Sequence, residues 1–222
     1  MGITPDEEFA VHENGRPSAD DTSERVADLL RLAHTALSRA TAVLFRSTTK
    51  AEKGMAAVGR ALGELWGEAE DLTWTGLAAG AAQDADLRTV ITDMYVGEDI
   101  GRMGVLTRQV SDIAWARQSK PPLPTPVWEC VRELGESSLA LVGRAHDAIA
   151  SPASPEVTDA ELAEVGGLQR RLCRTLLSGI GSLDVIDAVD TAILGRCYAE
   201  CAQRATAVAQ HMCLLRETPM GG

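Results

Sequence analysis

Residues 119–126 read SKPPLPTP, with four prolines in eight positions. Neither a helix nor an interior strand runs through such a stretch, because each proline removes a backbone N–H and clashes with the turn before it. The segment therefore divides the chain. On both sides of it the apolar residues recur every three to four positions, the period of a helix packed by one face. No segment shows the two-residue alternation of a strand bounded by turn residues. The expected fold class is all-α: two tandem three-helix bundles, six long helices and no sheet.

Upstream of the prolines, Asp21 with Glu24 resembles a capping box. The helix after it carries Val26, Leu29, Leu30, Ala33, Leu37, Ala40 and Leu44. Ser47, Thr48 and Thr49 break it. A second helix alternates by threes and fours through Met55, Val58, Leu62, Leu65, Ala69 and Leu72, then fades in GLAAGAA, residues 76–82. A third runs from near Asp84 to about Gln118. Its apolar face moves, from Leu87, Val90, Ile91 and Met94 to Val96, Ile100, Met103, Val110 and Ile113 on the opposite side. A helix of that kind is expected to be buried on two sides, or to meet different partners along its length.

Downstream, Thr125 is expected to cap a fourth helix, with Pro126 at its first position and its end near Ala150. SPASP, residues 151–155, stops it. Thr158 and Glu161 form a capping box for a fifth helix to about Leu177. SGIGS turns the chain into the sixth helix, residues 182–215. The domain reading is a tail over 1–21, one repeat over 22–118, the joint at 119–126, a second repeat over 127–215 and a tail over 216–222.

The sixth helix is unusual. With Ile186, Val189, Ile193, Cys197, Val208 and Leu215 on one stripe, Asp190, Glu200 and Arg204 fall on that stripe too. Charges facing a core are costly unless paired or functional. Sliding the third helix by 99 residues brings Val90 onto Val189, Met94 onto Ile193 and Thr107 onto Thr206, a weak internal parallel between the repeats.

In DLRTVITDMYVGEDIGRMG, residues 86–104, and DAVDTAILGRCYAECAQRATAVA, residues 187–209, the chain resembles the PhoU family of phosphate-uptake regulators. The first segment is similar to the family's DLR followed by its aspartate-hydrophobe-acid-Arg-Ile/Met-Gly motif. The second is similar to its counterpart in the other repeat. The resemblance spans residues 22–215. It implies a cytoplasmic, non-enzymatic adaptor, commonly a homodimer. Such an adaptor docks to the ATPase of the phosphate ABC transporter and to the cytoplasmic region of a sensor histidine kinase, holding that kinase's signalling down when phosphate is plentiful. Partner-contact candidates are Asp86, Arg88, Asp99 and Arg102 on the third helix, and Asp187, Asp190 and Arg196 on the sixth.

The resemblance also implies a metal cluster bound by an acid-x-x-x-Asp pair in each repeat. Here those positions hold Gly101 and Val105, then Glu200 and Arg204. Hard cations need several oxygen ligands, and one of four carboxylates remains. Glu98 and Asp99 are candidate substitutes beside Glu200 for a residual divalent or iron ion, and otherwise no cofactor is expected. Arg204 lies four residues after Glu200, the spacing at which helix side chains meet, so an ion pair in place of the metal is the preferred expectation.

Cys197 and Cys201, with His211 and Cys213 beyond them, suggest a thiolate metal site or redox switch, but small buried residues on an apolar stripe are the simpler reading. Five cysteines without scaffold spacing are expected as free thiols. His12, His34 and His146 have no apparent partners in sequence. Trp66, Trp74, Trp115 and Trp128 suggest a ligand box, but core or inter-helix packing is the simpler reading. A formal net charge of −11 argues against nucleic acid, and no apolar run reaches the length of a membrane span. The acidic, polar N-terminus is unlike a signal peptide. No phosphate loop, nucleophile elbow or Glu-x-x-His pair is present. Two further functions remain alternatives: a divergent paralogue acting on another kinase or transporter, and a helical-bundle metal or redox protein.

Overall fold

The computed structural model describes residues 19–45, 51–80, 87–151, 153–178 and 183–217. They form α1 (Ala19–Phe45), α2 (Ala51–Gly80), α3 (Leu87–Ala116), a 3-10 turn at Arg117–Ser119, α4 (Thr125–Ala150), α5 (Asp159–Leu177) and α6 (Val185–Glu217). No strand occurs among the described residues. The fold is all-α with six helices, as the periodicities predict. Ser47, Thr48, Thr49, His12, most of SGIGS and Asp86 lie outside the described residues.

Helices α1, α2 and α3 pack on one another, as do α4, α5 and α6; α1 also lies on α4, and α3 lies along α6. A continuous cluster of buried side chains joins them. The expected stripes of the first two helices form much of it: Val26, Leu30, Leu37, Val58, Leu65 and Leu72 are fully or almost fully buried. Each such side chain contributes about 1.5–3 kcal/mol. The Thr158–Glu161 capping box forms in both directions at the start of α5. Glu161 also pairs with Arg144 of α4, and Arg171 of α5 pairs with Glu133 of α4.

Several expectations are corrected. The chain is already helical at Ala19, so Asp21 lies within α1 rather than capping it. Pro124, not Thr125, occupies the cap of α4, and Pro126 falls inside its first turn. The N-terminal apolar face of α3 is exposed at Ile91 (43%) and Met94 (43%), whereas Val96, Ile100, Met103 and Val110 are buried. On α6 the stripe is rotated. Ile186 (64%) and Val189 (51%) face solvent, while Thr191, Leu194, Tyr198, Cys201, Ala205 and Met212 are enclosed. Cys197 and Val208 are buried as expected.

The cause is the same for both helices. α3 touches α1, α2 and α6, and α6 touches α3, α4 and α5 and, more lightly, α1. A helix with neighbours on three sides has no single apolar stripe to follow. Trp66 and Trp128 do pack between helices. Trp128 meets Phe45 edge-on at 4.8 Å. A Cβ on Gly104 of α3 would stand 2.5 Å from the Trp66 indole nitrogen, so that glycine admits the ring. Trp74 and Trp115, by contrast, lie at the surface, contrary to expectation.

Candidate functional site

Along the α3–α6 contact, residue numbers fall on one helix as they rise on the other, so the two helices are antiparallel. Arg102 and Asp99 of α3 face Glu200 and Arg204 of α6, Gln109 faces Arg196, and Arg117 just beyond α3 reaches Asp187. Two charged clusters result.

The central cluster has three guanidiniums and two carboxylates. Steps of three on α3 and four on α6 bring these side chains to facing surfaces. Arg102 Nε donates to Glu200 Oε1 at 3.1 Å, and Arg196 Nη1 donates to Glu200 Oε2 at 3.2 Å. Arg204 Nε stands 3.5 Å from Glu200 Oε1, while its Nη1 donates to Asp99 Oδ1. Burial works to raise the Glu200 carboxyl. The hydrogen bond from Arg102 and the charges of Arg102, Arg196 and Arg204 outweigh it, and the group is held below the usual carboxylate range.

These residues do not suit the metal that the family resemblance implies. A cation at Glu200 would have to displace guanidiniums from both of its oxygens. Asp99 is engaged by Arg204. Glu98 is exposed, and at the other two positions Gly101 has no side chain to offer and Val105 is partly exposed. No group of three or more acidic, histidine or cysteine side chains suited to a metal occurs among the described residues.

The second cluster ties the proline joint to the start of α6. Arg117 Nη1 donates to Asp187 Oδ1 at 2.7 Å and Nη2 to the Pro121 carbonyl at 3.0 Å. Lys120 Nζ reaches Asp187 at 3.1 Å and Asp190 at 3.4 Å. The Arg117 side chain is only 5% exposed. Asp187 and Asp190 are thus engaged inside the fold. The involvement of Arg117 was not visible in sequence, because its partner is 70 residues away.

Arg88 is exposed near the start of α3. Beyond it Ile91, Met94 and Tyr95 are exposed, and Tyr95 stacks on His211 of α6 at 5.7 Å. Leu214, a turn further along α6, is exposed as well.

Sequence reasoning missed Asp93. It is 7% exposed, its Oδ1 has no hydrogen-bond partner, and burial pushes its carboxyl up to about 6 against the opposing charge of Arg25. The signal was there: Asp93 falls between Val90 and Val96, which are both buried.

Cys197 and Cys201 settle as small core residues. Cys197 and Cys201 are fully enclosed, and burial pushes the Cys197 thiol up to about 11 and the Cys201 thiol higher still. A thiol held protonated is a poor nucleophile and a poor metal ligand. His146, without an apparent partner in sequence, pairs with Asp147 at 2.9 Å.

No helix among the described residues is long and apolar enough to cross a membrane. No protein-family model matches the chain. The chain is 28% identical over 194 residues to the phosphate-specific transport system accessory protein PhoU homolog 2 of Mycobacterium tuberculosis, covering 86% of this chain and 91% of that protein. The corresponding protein of Mycobacterium bovis matches to the same extent. PhoU homolog 1 of Mycobacterium leprae is 28% identical over 196 residues, 86% of this chain and 87% of the relative. The crystal structure of PhoU from Pseudomonas aeruginosa superposes with a TM-score of 0.70 over 90% of this chain and 97% of that one, at 17% identity.

Proposed function

We propose that the chain, 28% identical over 86% of its length to PhoU homologues, is a PhoU-type accessory protein that regulates phosphate uptake without catalysis, by docking. Its partners in this reading are the ATPase of the phosphate ABC transporter and the cytoplasmic region of a sensor histidine kinase. When phosphate is plentiful, the docked complex holds the kinase's signalling down. The protein works as a homodimer.

The observation that carries the docking reading is the exposed run on the N-terminal half of α3: Arg88, Ile91, Met94 and Tyr95, continued by Leu214 on α6. Large apolar side chains clustered at the surface beside charged ones have the composition of a protein interface. Asp187 and Asp190 fit a partner contact less well, since Arg117 and Lys120 hold them.

Deleting the gene and following phosphate-regulon output in high phosphate tests the role. Output should rise in the deletion strain, and unchanged output favours the paralogue acting on another kinase or transporter. Hydrogen exchange of the chain with a purified kinase cytoplasmic domain tests the surface. Protection should appear over residues 88–102; protection confined to α2 or α5 would place the docking face elsewhere.

A further inference from the structure

A cleft of about 370 Å³ opens at the central cluster, lined by Asp99, Gln169, Arg196, Glu200, Gln203 and Arg204. α5 supplies Gln169, α3 supplies Asp99, and α6 supplies the rest. We infer that this cleft binds a small oxyanion of the phosphate or sulfate type. The inference stands on the cleft and does not depend on the docking reading.

Charge is the first argument. Arg196 and Arg204 balance Asp99 and Glu200 in the lining of the cleft, and Arg102, outside the lining, also pairs with Glu200, so the cluster as a whole has one positive charge in excess. This occurs in a chain whose formal net charge is −11. Both carboxylates are already engaged by guanidiniums, which limits their repulsion of an incoming anion.

Donor supply is the second. Each guanidinium has five N–H groups in a fixed fork that matches the oxygens of a phosphate or sulfate. The ion pairs use only some of them. Arg204 Nε is enclosed without a hydrogen-bond partner, since its 3.5 Å approach to Glu200 falls short of a good bond. A buried donor left unmatched is costly, and an oxyanion oxygen would satisfy it. The Gln169 and Gln203 amides add neutral N–H donors at the walls of the cleft. A cation finds no comparable set of free oxygens. The place where the family resemblance implies a metal has, in this chain, the chemistry for the opposite charge.

The test is calorimetric titration of the full chain with inorganic phosphate and, separately, with sulfate, at ionic strength held constant with chloride. The arginine Nε–H resonances are followed by NMR in parallel. Saturable binding of one ion per chain, with the Arg204 Nε–H resonance shifting along the same isotherm, is the expected result. Arg196→Gln should weaken binding about tenfold. Gln203→Glu, which adds a carboxylate at an exposed position of the wall, should weaken it at least as much while leaving the helical circular dichroism unchanged. Arg60→Gln on the exposed face of α2 is the control and should bind as the parent does. Titration that does not saturate, or equal binding by the parent and both cleft variants, overturns the inference. So does stoichiometric manganese, zinc or iron retained by the parent and lost in Glu200→Gln.

Discussion

The Thr41 hydroxyl of α1 and the Tyr198 phenol of α6 meet at 3.0 Å inside the core, 157 residues apart in the chain. Thr41 donates its own proton to the Leu37 carbonyl at 2.8 Å. Tyr198 is therefore the donor between the two. The contact joins α1 to α6, the first helix to the last. Gly135 of α4 makes room for the ring, since a Cβ there would stand 3.3 Å from it. Tyr198→Phe keeps the packing and the Thr41–Leu37 bond but removes the bond between α1 and α6. It should cost about 1 kcal/mol in urea unfolding, with no change in secondary structure. A loss well above that would mean the ring itself had shifted.

Asp93 gives a pH dependence of defined sign. Its carboxyl is raised from an ordinary 3.8 to about 6 by burial, so the folded chain binds that proton more tightly than the unfolded chain does. The contribution of Asp93 is most favourable below about 4 and is lost as the pH rises through about 6. Asp93→Asn removes the titration. The variant should be more stable than the parent at pH 8 by about 1 kcal/mol, less than the full shift carries because the amide also needs partners. The two unfolding curves should converge near pH 4. A difference that did not vary with pH would refute this account.

At the proline joint, Asp187→Ala leaves the enclosed Arg117 guanidinium with the Pro121 carbonyl as its remaining hydrogen-bond partner. A loss of about 2 kcal/mol is expected in denaturant unfolding at neutral pH. Burial alone would raise the Asp187 carboxyl, but hydrogen bonds from Lys120 and Arg117 hold it below the usual value. The stabilisation is therefore full at neutral pH and lost only as the pH falls through that lowered value. Parent and variant should keep their separation down to about pH 4.

Thiol labelling separates core from surface. Cys173 is exposed, while Cys197 and Cys201 are enclosed and held protonated. Iodoacetamide on the native chain should modify Cys173 first, as peptide mass spectrometry would show. Cys197 and Cys201 should react only at the rate of unfolding. Rapid native labelling of either would restore the redox reading.

The six helices of the described residues, and the breaks after α3 and α4, could be read from local chemistry. Four prolines end α3's run, Thr158 and Glu161 cap α5, and the stripes of α1 and α2 name their own buried residues. The pairing of charges could not be read in this way. Glu200 and Arg204 are four residues apart, a spacing that predicts their contact; their separation is 3.5 Å. The stronger partners of both came from α3, as Arg102 and Asp99. On the wheel Asp99 points away from the Gly101 position, and it reaches Arg204 by lying on the side that α6 covers.

Sequence by itself determined which of the described segments are helical, where α3 and α4 stop, and which face is buried on helices that meet the core from one side. Tertiary structure decided the buried faces of α3 and α6 and the partners of their charges. The physical reason is range. Capping, propensity and periodicity act over a few residues of one helix. Whether Ile186 meets solvent, whether Asp93 is enclosed, and whether Glu200 faces a metal ion or three guanidiniums depend on which helices lie alongside.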